Sequence, residues 1–253
     1  MEHGQYMNKE KALEALRDKW SRCEACPLHK DRKNVVFGEG NPNADLLFVG
    51  GGPGKEEDIS GRPFRGDAGA VLSQFLQGAK LSIKNDIYLT NIVCCYPQIE
   101  KEDERTGKKF LAYREPNKVE RNACRERLLE TIYIVDPLLI VAFGRIALQA
   151  LTGKGTVTAR TRGEVQVMHL PGRHTDLRYA VFPVHDLASL ASSSNRTQST
   201  GPWRPTEEDF GTICNALDFL REKYYGILPP DVEQQKQKTS DEEEYDEDEG
   251  RGD

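Results

Sequence analysis

The 253-residue chain has no run of 18 apolar residues, so no stretch of it reads as a helix crossing a bilayer. Its first 20 residues are charged and lack the apolar core of a secretory leader. No internal repeat is found. In a chain without a leader, six cysteines point to metal ligands or thiols rather than disulfides, and so to a reducing, cytoplasmic setting. Net basic charge is also missing, since the formal charge is −6. The acid excess is local. Residues 241–253 hold nine acids and one Arg, and the remainder carries 32 acids against 34 Lys and Arg. A nearly neutral body with basic patches is open to nucleic acid in a way that an evenly acidic surface is not.

What is there centres on one stretch. Asp45 to Val49 reads as a short buried strand, and Gly50-Gly51-Gly52-Pro53-Gly54 follows it directly. Glycines at the carboxyl end of a parallel strand let backbone approach a ligand closely. No Gly-Lys-Ser/Thr follows, which excludes a Walker-type phosphate loop. Gly61, Pro63 and Gly66 interrupt the region where a dinucleotide-binding helix would run.

Around this stretch the pattern predicts alternating strands and helices. Strands are expected at 86–93, 137–144 and 178–184, with a further strand-like run at 165–170 and an edge strand at 35–38. Helices are expected over 8–21 with Asn8 as N-cap, from Gly69 to about Gly78, and from Cys124 to about Ile134. Two more are expected at 147–151 and from a Thr206 cap to Tyr224, the latter with Cys214 on its apolar face. Residues 98–113 are polar and read as a surface insertion, with Lys108 and Lys109 solvated. Residues 192–203 form a Ser/Thr/Gly-rich connection. After Pro229 and Pro230 the chain is wholly polar and reads as a disordered acidic tail. The expected organisation is one folded domain over 1–228 and a tail over 229–253.

Cys23-Glu24-Ala25-Cys26 places two thiols three apart, a spacing that can chelate one metal or a cluster edge and that taken alone is open to zinc, redox chemistry or chance. Cys94, Cys95, Cys124 and Cys214 lie elsewhere. Phe64, Asn91 and His185 stand alone in the sequence. Each has an ordinary reading, as core aromatic, strand-end cap and structural histidine.

Taken together these residues resemble the uracil-DNA glycosylase superfamily, most closely its iron–sulfur family 4. The family's first motif is Gly-Glu-Gly-Pro-Gly, two or three acids, Gly-Arg-Pro-Phe, then Gly and Ala-Gly. The chain matches at Gly50, Gly52, Pro53, Gly54, Glu57, Asp58, Gly61, Arg62, Pro63, Phe64, Gly66, Ala68 and Gly69, and departs at Gly51, where the family carries an acid. Thr90-Asn91-Ile92-Val93-Cys94-Cys95-Tyr96-Pro97 is similar to the second motif, and Arg114-x-Pro116 with Glu120 and Cys124 keeps the family's spacing. His185-Asp186 stands where the family has His-Pro.

The resemblance implies a three-layer α/β/α fold with a central four-stranded parallel sheet. It implies a monomeric DNA repair hydrolase that cleaves the N-glycosidic bond of deoxyuridine, with other deaminated bases as further substrates. Phe64 would stack on the extruded uracil, Gly51 and Gly52 would line its pocket, and Asn91 would read its edge. His185 would stabilise the departing anion. Glu57 would take up the electrostatic task of the missing acid or simply hold the loop. Cys23, Cys26, Cys95 and Cys124 would bind a [4Fe–4S] cluster, with zinc as the alternative. The other functional reading is a catalytically weak or inactive DNA-binding protein of the replication machinery, with Gly51 marking lost chemistry. In either case the acidic tail is a candidate contact for a repair or replication partner.

Overall fold

A computed structural model describes residues 8–153, 163–171, 176–192 and 203–225. Residues 160–162, most of the 192–203 connection and the acidic tail lie outside the described residues. The elements in chain order are α1 (Lys9–Trp20), β1 (Glu39–Gly40), β2 (Leu46–Gly50), α2 (Lys55–Ser60), α3 (Asp67–Gly78) and β3 (Ile87–Asn91). The next are β4 (Gln98–Glu102), β5 (Lys109–Tyr113), α4 (Lys118–Val135), β6 (Leu139–Phe143) and α5 (Gly144–Thr152). Last come β7 (Gln166–Pro171), β8 (Asp176–Val184), α6 (Leu187–Ser192) and α7 (Trp203–Tyr225). By packing, Met1–Thr212 forms one compact unit and Ile213–Asp253 a second, so α7 belongs partly to each. Among the described residues no helix is long and apolar enough to cross a membrane.

The main sheet runs in the order β1-β3-β2-β6-β8-β7. Its four inner strands, β3, β2, β6 and β8, are mutually parallel, as expected. The two edge strands are antiparallel and widen the sheet to six. Inner strands are buried on both faces, which their continuous apolar runs require. Alternation then sorts them. Leu47, Val49, Ile140, Ala142 and Val181 join a core with Leu13 and Leu16 of α1, Leu128 and Ile132 of α4, and Leu148 of α5. Phe48 points the other way and meets Phe143 edge-on at 5.4 Å and Phe210 at 6.0 Å, while Phe210 stacks on Phe75 of α3 at 5.1 Å.

Several expectations are corrected. The edge strand lies at Glu39–Gly40, not 35–38, although Val36 N–H still donates to the Cys94 carbonyl at 2.8 Å. The insertion at 98–113 is a two-stranded hairpin, β4–β5, rather than a loop. Its turn is built by Asp103, whose Oδ1 accepts the N–H groups of Arg105 and Thr106 at 3.0 and 2.8 Å. Helix α7 begins at Trp203, so Thr206 lies inside it rather than capping it, and Cys214 is half-buried. Asn8 caps α1 as expected, its Oδ1 accepting from Lys11 N–H at 3.0 Å.

Candidate active site

All four inner strands end on one side of the sheet. From β2 the chain runs to β3 on one flank and later returns to β6 on the other, so β2 is the switch point, where open α/β sheets bind ligands. A cleft of about 360 Å³ opens there. Its walls are residues 50–57, Phe64, Asn91, Tyr113 and the start of α6.

Asn91 closes β3 directly opposite Gly50 and is 3 % exposed. A Cβ on Gly50 would stand 2.4 Å from Asn91 Oδ1 and 3.0 Å from Phe64 Cζ. Only a bare glycine lets the amide and the ring meet over the strand end. Phe64 holds a left-handed backbone with φ 54°, a conformation costing a side-chain-bearing residue about 1–2 kcal/mol. Its carbonyl lies 2.0 Å from where a Cβ on Gly69 would be, so α3 also needs glycine there.

Glu57 holds this strained loop. Its buried carboxylate accepts the Gly54 N–H at 2.8 Å, the Arg65 N–H at 2.7 Å and the Gly66 N–H at 2.8 Å. It therefore joins the turn before α2 to the turn after Phe64. Arg62 and Arg65 both pair with Glu39 of β1, fixing the loop from outside. Asp58 accepts the Lys33 N–H at 2.9 Å and so ties the N-terminal segment to the same loop.

Behind the cleft lies Arg127 of α4, 1 % exposed. Its Nη1 donates to Thr90 Oγ1 at 2.8 Å, and Nη2 donates to the carbonyls of Asn91 and Ile92, while Nε is buried without a partner. This guanidinium props the backbone on which Asn91 sits. Arg114 makes a two-pronged pair with Glu120, at 2.8 and 2.6 Å. Glu120 also completes a capping box with Asn117 at the start of α4. Arg114 holds the Glu120 carboxyl below its ordinary range. A depressed carboxylate stabilises the fold above the unfolded pKa of about 4.3, and this contribution is lost as pH falls through the folded value.

His185 is half-buried at the join between β8 and α6. The cleft wall is made by the three residues after it, Asp186, Leu187 and Ala188. The structure thus gathers Gly51, Gly52, Glu57, Phe64 and Asn91 into one cleft and puts His185 one residue away from its lining.

Of the four ligand candidates, Cys26, Cys95 and Cys124 are buried in one apolar cluster with Leu13, Leu16 and Leu28, and Cys23 is half-buried. Arg32 links the two ends of the set, donating to the Cys23 carbonyl and, at 3.5 Å, to Cys95 Sγ. Burial pushes the Cys95 thiol up to about 11, opposed by Arg32. Cys94 is pushed up to about 12 by the same cause, with Arg127 opposing. Among the described residues no three Cys, His, Asp or Glu side chains converge tightly enough for a single metal ion.

A profile of the uracil DNA glycosylase superfamily matches residues 37–211, a span containing every strand and the whole cleft. The chain belongs to the uracil-DNA glycosylase superfamily. It is 39 % identical over 156 residues to the type-4 uracil-DNA glycosylase of Thermotoga maritima, covering 61 % of this chain and 74 % of that one. It is 31 % identical over 206 residues to the type-4 uracil-DNA glycosylase of Saccharolobus solfataricus, covering 81 % and 86 %. The type-4 uracil-DNA glycosylase of Pyrobaculum aerophilum is 36 % identical over 162 residues, covering 64 % and 75 %.

Sequence reasoning missed Arg127 behind this superfamily cleft and two residues of its wall, Asp186 and Tyr113. Arg127 carried no signal, because a lone arginine on a helix reads as solvated. Asp186 was seen only as a departure from proline. Tyr113 lay in a stretch read as a polar insertion, yet the hairpin brings it into the cleft. For the glycosylase loop itself, Glu57→Gln should cost about 1–3 kcal/mol in denaturant unfolding, because an amide group then faces backbone donors. Unchanged stability would show that the three hydrogen bonds to Glu57 do not hold the loop.

Proposed function

We propose that this protein excises uracil from DNA by hydrolysing the N-glycosidic bond of deoxyuridine. The observation that carries the reading is the meeting of the Asn91 amide and the Phe64 ring over Gly50, at the switch point of a uracil-DNA glycosylase superfamily sheet. A base cannot be cut while stacked, so the nucleotide swings out of the helix into the cleft. Phe64 covers its face. The Asn91 amide, which both donates and accepts, reads the uracil edge. As the C1′–N1 bond breaks, its electron pair passes to uracil, and His185 stabilises the charge at O2. Water adds to C1′, leaving free uracil and an abasic sugar. Glu57 holds the loop that carries Phe64.

A second groove borders the cleft, sharing Lys55, Tyr96 and Leu111 with it and continuing along Lys33, Lys109 and Phe110. Phe110 and Leu111 are exposed on β5. Lysines beside exposed apolar side chains suit a DNA strand, contacting phosphate and base respectively. An inert DNA-binding protein is the less favoured reading. Gly51 alone points to it, whereas the cleft keeps a strained aromatic, Phe64, and a buried amide, Asn91. The test is to incubate purified protein with an oligonucleotide holding one deoxyuridine and then treat with alkali. Cleavage at that position is expected, and intact DNA would overturn the reading.

The same proposal includes a [4Fe–4S] cluster on Cys23, Cys26, Cys95 and Cys124. Thiolates, not buried thiols, are the ligands, and buried thiolates require a compensating cation, which the cluster supplies. A set of four thiolates also suits tetrahedral zinc, which is the alternative occupant. The cluster joins the N-terminal segment to α4 and the end of β3. Protein purified without oxygen should be brown, and Cys95→Ser or Cys124→Ser should bleach and destabilise it. Cys94→Ser and Cys214→Ser should keep the colour. Colourless protein with one zinc per chain would contradict the cluster and leave the ligands in place.

A further inference from the structure

The family 4 motif that this chain resembles carries an acid where Gly51 stands, and here the Tyr113 hydroxyl lies against that position. A Cβ on Gly51 would stand 3.1 Å from the Tyr113 hydroxyl oxygen, closer than side chains normally pack. The backbone of Gly51 does not have a positive φ, so the obstacle to a side chain there is the phenol and not the turn. A side chain at position 51 would thus press on the Tyr113 hydroxyl, which would have to give way by a few tenths of an ångström.

Tyr113 is held firmly there. It ends β5 opposite Gln98, the next residue's N–H donates to the Pro97 carbonyl at 2.9 Å, and Arg114 is locked onto buried Glu120. The residue is 41 % exposed overall, but its hydroxyl end is in the cleft: burial raises its pKa, and the charge of Asp186 is the next cause. Tyr113 and Asp186 therefore line the same cleft.

Asp186 lines the cleft from the far wall. Among the described residues its side-chain hydrogen bonds run through Oδ1, which accepts from Ser189 N–H at 2.9 Å and Ser189 Oγ at 3.1 Å. Oδ2 lies over Gly144, 3.2 Å from where a Cβ there would stand. The other carboxylates of the cleft are placed differently. Glu57 is occupied by three backbone donors, and Glu56 and Asp67 are exposed in the first turns of α2 and α3.

We propose that Asp186, with the Tyr113 hydroxyl, replaces the absent first-motif acid of this glycosylase. The Asp186 carboxylate holds the attacking water and balances the positive charge that develops at C1′. As the water oxygen bonds to C1′ and the C1′–N1 pair leaves with uracil, the water proton passes to Asp186 and on to solvent. The Tyr113 hydroxyl fixes that water or the carboxylate in place. This assignment rests on the base-excision reading above.

The test is single-turnover release of uracil from a deoxyuridine oligonucleotide, with oligonucleotide binding measured alongside. Asn caps helices as well as Asp, so Asp186→Asn removes charge and keeps the α6 cap. It should slow release about 10²–10³-fold with binding unchanged. Tyr113→Phe should slow it up to about tenfold. Gly51→Glu added to Tyr113→Phe and Asp186→Asn should regain at least about tenfold over Asp186→Asn alone, because a carboxylate returns to the opposite wall. An active parent whose Asp186→Asn variant stays within about threefold would overturn the assignment and leave base excision standing. Loss without rescue would overturn the exchange with position 51. A parent that releases no uracil would overturn the excision reading, and this assignment with it.

Discussion

Replacing His185 with alanine is expected to slow uracil release about 10²–10³-fold, the usual cost of losing one well-placed electrostatic stabiliser. Uracil departs as an anion, and its charge is delocalised toward O2. Inside a cleft with little water, one hydrogen-bond donor aimed at that oxygen counts for more than it does in solution. The wall of the cleft runs through Asp186, Leu187 and Ala188, so the alanine variant loses the imidazole and keeps the wall. Binding of an oligonucleotide with an uncleavable deoxyuridine should therefore change little. His185→Gln, which retains a donor, should recover part of the rate. An alanine variant as fast as its parent would show that the leaving anion is stabilised elsewhere.

Asn91→Ala is expected to cost a similar factor, about 10²–10³ in rate, and to lose base choice with it. The amide is 3 % exposed and its Oδ1 sits against Gly50. In the proposed role it would accept from uracil N3–H and donate to O4. Cytosine presents the reverse pattern, so the amide that favours uracil also rejects cytosine. With alanine, both advantages go, and the ratio of uracil to cytosine release should fall toward one. Competition between two labelled oligonucleotides reads that ratio directly. A variant that is slow but still selective would place edge reading on another group and leave Asn91 as a mere strand cap.

Much of this was legible in the residues. Three of the inner strands, β2, β3 and β6, are runs such as Leu46-Leu47-Phe48-Val49, buried throughout, as a covered parallel strand is. Parallel strands put their carboxyl ends together, so Gly50, Asn91 and His185 had to approach one another. What the pattern did not reveal was set by contacts far apart in sequence. Residues 98–109 are mostly polar because a two-stranded hairpin standing off the sheet buries little, and in β5 even Phe110 and Leu111 stay exposed, so neither strand shows a buried apolar alternation. Tyr113 reaches the cleft on a strand end fixed by distant partners, the Pro97 carbonyl and the Arg114–Glu120 pair. Arg127 is buried because it satisfies carbonyls at the end of β3, a demand made by another strand. The helix at 55–60 followed three glycines and a proline, and its signal was the Glu57 side chain reaching back to Gly54.

The most direct measurement is the chemical identity of what is released. The purified protein is mixed with DNA containing one deoxyuridine, small molecules are separated, and free base is quantified by mass spectrometry against the DNA left behind. The account predicts one free uracil for each abasic site formed, with release greatly slowed by Asn91→Ala. Tight binding of the DNA with no free uracil and no abasic site would contradict it.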